Sequence, residues 1–122
     1  MPITDRHGVR VLRGDPTGPL VRSERDVVEL IGEALGNGVD LVVLPAERLA
    51  EDFFALRTRV AGEVVQKFVN YRLRLAVVGD LTVHLARSSA LRDFVREANR
   101  GDQLWFVADD AELDARLARV GT

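Results

Sequence analysis

The sequence predicts an α/β domain built on a mixed five-stranded sheet with about four helices. Three observations predict it. Residues 41–45, 73–79 and 103–108 are apolar runs too short for helices, and each has a helical pattern downstream. That alternation implies parallel strands joined by crossover helices. Ahead of them, two short extended pieces flank Asp5-Arg6-His7-Gly8, a polar turn that adds an antiparallel hairpin.

The elements follow in order. "PIT" and "VRVLRG" are the hairpin strands, and "GDPTGP" (14–19) is a loop held by two prolines and two glycines. Ser23 is the expected cap of a first helix, with Glu24 and Asp26 favourable in its first turn. Val27, Val28, Leu30, Ile31, Ala34 and Leu35 form its apolar stripe, and Gly36-Asn37-Gly38 ends it. "DLVVLP" (40–45) reads as a strand covered on both faces. Residues 46–57 read as a loop with an irregular helical turn, in which Phe53, Phe54 and Leu56 are buried.

A second helix is expected over 58–70, capped by Thr58, with Val60, Val64, Val65, Phe68 and Val69 inside. Gly62 in its middle suggests close packing against the sheet, since glycine there costs about 1 kcal/mol against alanine. "LRLAVVGD" (73–80) is the next strand, and 80–88 a loop. The third helix covers 90–100, capped by Ser88 or Ser89 and stopped by Gly101. "QLWFVA" (103–108) is a strand with Trp105 in the core, and a last helix over 110–120 starts from Asp109 or Asp110.

Length and composition bound the function. The 122 residues fit one domain, and a chain of that size buries roughly two thirds of its unfolded surface without needing staples. Cysteine is absent, which excludes disulfides, thiolate zinc sites and cysteine nucleophiles. No apolar run is long enough to span a membrane, and "MPITDRHG" does not read as a signal peptide, so a cytoplasmic location is expected. Net charge is −2 with both signs dispersed, which argues against a nucleic-acid surface. Of 17 basic residues only Lys67 is lysine; scattered arginines fit a GC-rich coding bias better than selection for anion binding.

Parallel strands direct attention to their carboxyl ends, where ligands of open α/β sheets sit. Gly79-Asp80, Pro45-Ala46-Glu47-Arg48 and Ala108-Asp109-Asp110 converge there. Asp80, His84 and Ser88 are four apart and would share a helix face, the logic of an Asp–His–Ser set. Triads are normally assembled from separate elements, and no oxyanion loop is recognisable. The competing reading is a strand-end aspartate, a polar histidine and a cap serine. Glu47, Asp80, Asp109 and Asp110 could gather around magnesium; helix caps and solvated charges explain them equally, and no metal or cofactor is expected. Gly32, Gly36 and Gly38 end a helix where a phosphate loop would precede one. Arg92, Arg96 and Arg100 read as a solvated helix face.

The motifs "VVLPAERLAEDFF", "LRTRVAGEVVQKFVNYRLRLAVVGD", "SSALRDFVREANRG" and "LWFVAD", within residues 41–108, resemble the bacterial family described as domain of unknown function 4180. The resemblance implies a fold and no activity. The element order also resembles STAS domains, whose mixed sheet begins with a hairpin. Their switch serine lies in an Asp-Ser pair at the start of the helix after the third strand. Here that place reads Leu56-Arg57-Thr58-Arg59, so Asp-Ser is missing and Thr58 is the nearby hydroxyl.

Two functions fit. The first is a non-enzymatic, STAS-like regulatory module that binds a protein partner or small molecule. Its candidate contact residues are Glu47, Arg48, Phe53, Phe54, Thr58, Asp80 and His84. The second is a small cytoplasmic enzyme of specialised metabolism, with Asp80 and His84 as acid and base and a pocket between the second helix, the 46–57 loop and the 80–88 loop. Homodimerisation through a sheet edge or a helix face is compatible with both.

Overall fold

The computed structural model describes residues 3–120, so Pro2 of the first extended piece lies outside the described residues. Five strands, β1 (Ile3–Arg6), β2 (Val9–Arg13), β3 (Leu41–Pro45), β4 (Arg74–Val78) and β5 (Leu104–Val107), form one sheet in the order β1-β2-β3-β4-β5. β1 and β2 are antiparallel, and β2 to β5 are parallel neighbours. Six helices accompany them: α1 (Glu24–Gly36), α2 (Glu51–Phe54), α3 (Val60–Asn70), α4 (Thr82–Arg87), α5 (Ser89–Arg100) and α6 (Asp110–Val120). The five-stranded mixed sheet and four long helices agree with the sequence prediction.

Side-chain alternation along the strands divides the core in two. Leu12, Val42, Leu44, Leu75, Val77, Leu104 and Phe106 face one side, under the apolar faces of α1, α3 and α5 and of the short α2. Val9, Val11, Leu41, Val43, Ala76, Trp105 and Val107 face the other, where α6 supplies Leu113 and Leu117. The uninterrupted run 41–44 is thus buried on both faces, as expected. Trp105 is in the core, its indole N–H donating to the Gly101 carbonyl at 2.8 Å. The Arg116 guanidinium lies 4.7 Å over its ring, and desolvation there lowers the Arg116 pKa.

The caps follow the sequence. Ser23 accepts from the Asp26 N–H at 3.2 Å while the Asp26 carboxylate accepts from the Ser23 N–H at 3.1 Å, a reciprocal capping box. Ser88 caps α5 by accepting from the Leu91 N–H at 3.0 Å. Asp109 accepts from the Glu112 N–H at 2.9 Å at the start of α6.

Several expectations are corrected. Strand β1 runs on through Asp5 and Arg6, leaving His7-Gly8 as the turn, both at positive φ. Val28 and Leu35 are 43% and 45% exposed, because α1 lies flat on a sheet and only the i, i+3, i+4, i+7 set Val27, Leu30, Ile31 and Ala34 faces inward. Val69 is exposed for the same reason on α3, and Val65 and Leu56 are only partly buried. Helix α3 begins at Val60, two residues later than expected, since Arg59 takes a left-handed conformation (φ 67°) after the turn at 56–58. Nothing lies within 4 Å of a Cβ built on Gly62, so close packing does not explain that glycine. The 80–88 segment contains α4, and Leu81 at its cap and Leu85 within it pack on the core.

Candidate functional site

The carboxyl edge of the sheet is assembled by three strand exits. Pro45 of β3 leads into a tight helical turn over Ala46–Arg48, β4 leads into Gly79-Asp80, and β5 into Ala108-Asp109. Gly79 sits against the first exit. A Cβ there would lie 2.8 Å from the Ala46 Cβ, and its φ is +154°, so both space and backbone angle favour glycine. Asp80 then opens the turn into α4. Its Oδ1 accepts from the Thr82 hydroxyl and, at 2.9 Å, from the Thr82 N–H. Those two bonds, hydroxyl first, hold the Asp80 carboxyl below the usual carboxylate range.

The remaining predicted site residues divide between two sides of this edge. On the α6 side, Glu47, Asp109 and Asp110 line a depression of about 310 Å³ with Arg13, which pairs with Asp110. Asp80 does not line it. Among the described residues no group of three or more His, Asp or Glu side chains is arranged to hold a metal ion. Arg48 is buried, 7% exposed, and its chemistry is turned inward. Its Nε donates to the Pro19 carbonyl at 2.6 Å and its Nη1 to Asp15 at 3.0 Å. Gly18 makes room, since a Cβ there would meet the guanidinium at 2.7 Å. Arg48 thus ties the 14–19 loop to the body of the domain.

On the helix side, Phe53 and Phe54 are both buried, edge to face at 5.3 Å. The His84 ring stacks on Phe54, centroids 4.2 Å apart and planes 17° from parallel. His84 Nδ1 faces Glu51 Oε2 at 3.9 Å, and Asp80, engaged with Thr82, makes no contact with it. Asp80, His84 and Ser88 therefore do not form a relay: each is held by a different partner. Thr58 is exposed; its hydroxyl donates toward the Asp52 and Ala55 carbonyls (2.6 and 2.8 Å) and accepts from the Val60 N–H at 3.3 Å. It braces the turn before α3 and leaves the cap position to Arg59.

A cleft of about 450 Å³ opens beside His84, between residues 51–57 and 84–90; no residue of α3, the helix expected to wall a pocket here, lines it. Phe54, Ala55 and Leu56 give it an apolar side, and Glu51, Arg57, His84, Arg87 and Ser88 its polar groups. Arg57 and Arg87 are exposed, and neither makes an ion pair or hydrogen bond among the described residues. Arg57 lies in the quoted Leu56-Arg57-Thr58-Arg59 stretch, but the sequence reading singled out neither arginine as a site residue. A second groove of about 310 Å³ runs between α1 and α3 over Val21, Val27, Val60 and Val64. There Lys67 and Glu24 satisfy each other at 2.7 Å. The α1–α3 groove also holds one unpaired cation among the described residues, the exposed Arg22, whereas the His84 cleft has two beside a stacked aromatic pair and is the better-equipped site.

Residues 6–117 match the family model described as domain of unknown function (DUF4180). The chain belongs to that family. The match covers every strand except the start of β1, and all six helices up to the last turn of α6. No curated protein and no solved structure matches the chain. Among the described residues of this DUF4180 domain, no helix is long and apolar enough to cross a membrane.

Proposed function

We propose that this DUF4180 domain is a non-enzymatic, STAS-like module that binds a small ligand in the His84 cleft. The observation that carries the reading is one concavity combining a buried aromatic platform, Phe54 under His84, with two unpaired guanidiniums, Arg57 and Arg87. Its volume of about 450 Å³ lies within the range of about 300–1,000 Å³ usual for small-molecule sites, which pair apolar walls with a few polar groups. An acid–base reaction at Asp80 and His84 gains no support, because Asp80 is committed to Thr82 and His84 faces Glu51.

The test is an amide-resolved NMR titration of the full chain with a panel of small anions and neutral aromatics. Saturable shifts confined to 54–57 and 84–90, abolished in Arg57→Ala/Arg87→Ala with an unchanged melting temperature, are expected. Shifts that map instead to the α1–α3 groove, or that survive the double substitution, would refute this site.

A further inference from the structure

We infer, resting on the binding-site reading above, that the ligand class this cleft selects is a flat aromatic acid. Its ring would extend the Phe54–His84 stack and its carboxylate would be held by Arg57 and Arg87. Three observations lead there. Phe54 is buried and parallel to His84 at 4.2 Å, so one face of the imidazole is covered. The His84 side chain is still 24% exposed. Glu51, 3.9 Å from Nδ1, is itself 83% exposed and leaves the ring open to the cleft it lines. The ligand ring would lie against that open part of the imidazole, where offset stacking adds up to about tenfold in affinity beyond area burial.

Charge selects the second part of the ligand. Among the lining residues Arg57 and Arg87 stand against Glu51, an excess of one fixed positive charge. One unbalanced charge suits a monoanion better than a dianion. A guanidinium presents a planar fork that matches a carboxylate bidentately, and its own face stacks on aromatic rings. Ala55, Leu56 and Ala90 add apolar wall, and the Ser88 hydroxyl, whose oxygen caps α5, adds one further donor.

The experiment compares benzoate, acetate, benzamide and inorganic phosphate on the unmodified full chain, read by the cleft amides. Benzoate should bind about tenfold tighter than acetate, the ratio that a stacking gain near the top of its range would produce. It should exceed benzamide by a similar factor. His84→Ala should erase the advantage over acetate, and Arg57→Ala/Arg87→Ala the advantage over benzamide. Acetate or benzamide matching benzoate on the unmodified protein would overturn the inference, whether or not the variants fold. If phosphate titrates the cleft while benzoate shows no advantage over acetate, the aromatic-acid inference falls and the binding-site reading stands. If no probe moves the cleft amides, both fall.

Discussion

Replacing Asn99 with alanine tests how the open side of β5 is closed. β5 is an edge strand, and Gln103 and Val107 give their carbonyls to β4 through Leu75 N–H and Gly79 N–H. In a parallel pair alternate residues bond to alternate sides, so Leu104 and Phe106 point their backbone groups outward. Asn99, on the last turn of α5, satisfies both groups of Phe106. Its Nδ2 donates to the Phe106 carbonyl at 3.1 Å, and its Oδ1 accepts from the Phe106 N–H at 2.7 Å. The side-chain amide stands where a sixth strand would pair. Losing two hydrogen bonds costs about 1 kcal/mol each. Alanine recovers about 0.5 kcal/mol through better helix propensity. The net is about 1.5 kcal/mol, or a fall in Tm of about 6 °C for a domain of this size. The assay is thermal unfolding by circular dichroism, with light scattering to read association, because an uncovered edge recruits other strands. A change below about 1 °C would refute the accounting, and an unaltered Phe106 amide exchange rate would show that Asn99 does not guard the edge.

Three further predictions rest on the carboxyl edge. Gly79→Ala should destabilise the fold by about 1–3 kcal/mol in urea unfolding, since it both crowds Ala46 and fixes an unfavourable backbone angle; adding Ala46→Gly should restore only the steric part, and full rescue would show that the angle costs nothing. Arg48→Met should cost about 2–3 kcal/mol through its two charged hydrogen bonds and make the 14–19 loop sensitive to proteolysis, whereas Arg48→Lys should not rescue, because one ammonium does not span the Pro19 and Asp15 carbonyls. Folding lowers the Asp80 pKa through Thr82, so its stabilisation is whole above the ordinary carboxylate range and is lost as pH falls through the depressed folded value. The Asp80→Asn variant should then melt slightly below the wild type at neutral pH and converge with it in acid, with ligand affinity intact; lost binding in an undisturbed fold would make Asp80 functional.

The strands and long helices were legible because each repeats its own period along the chain. Val42 and Leu44 answer one layer and Leu41 and Val43 the other, and α1 carries an unbroken set from Val27 to Ala34. Helix α4 was not legible, because Leu81 at its cap position offers no side-chain hydrogen bond and its apolar signal is one pair, Leu81 and Leu85. Burial of Arg48 was hidden for a different reason: its partners are carbonyls 29 and 33 residues away, which no local pattern encodes. The site was read in part. Phe54 and His84 stood out by residue type, whereas the pairing of His84 with Phe54 in place of Asp80 depends on where α2 and α4 meet. Arg57 and Arg87 were lost among 17 basic residues until the fold left them unpaired beside one cleft.

The two faces of the sheet are unequal in when they can be closed. The face under α1, α3 and α5 gains a helix with each crossover as the chain is made. The other face waits for α6, since Leu113 and Leu117 are the helical side chains that join Val9, Val11, Leu41 and Trp105 in that layer. Until α6 is added the sheet therefore carries a bare apolar plane, made largely of residues translated long before their cover. Asp114 then meets Arg6 and His7, so the last helix is clamped to the first hairpin. A chain truncated before residue 113 would hold a sheet wet on one side, a species that chaperones bind and that aggregates in their absence.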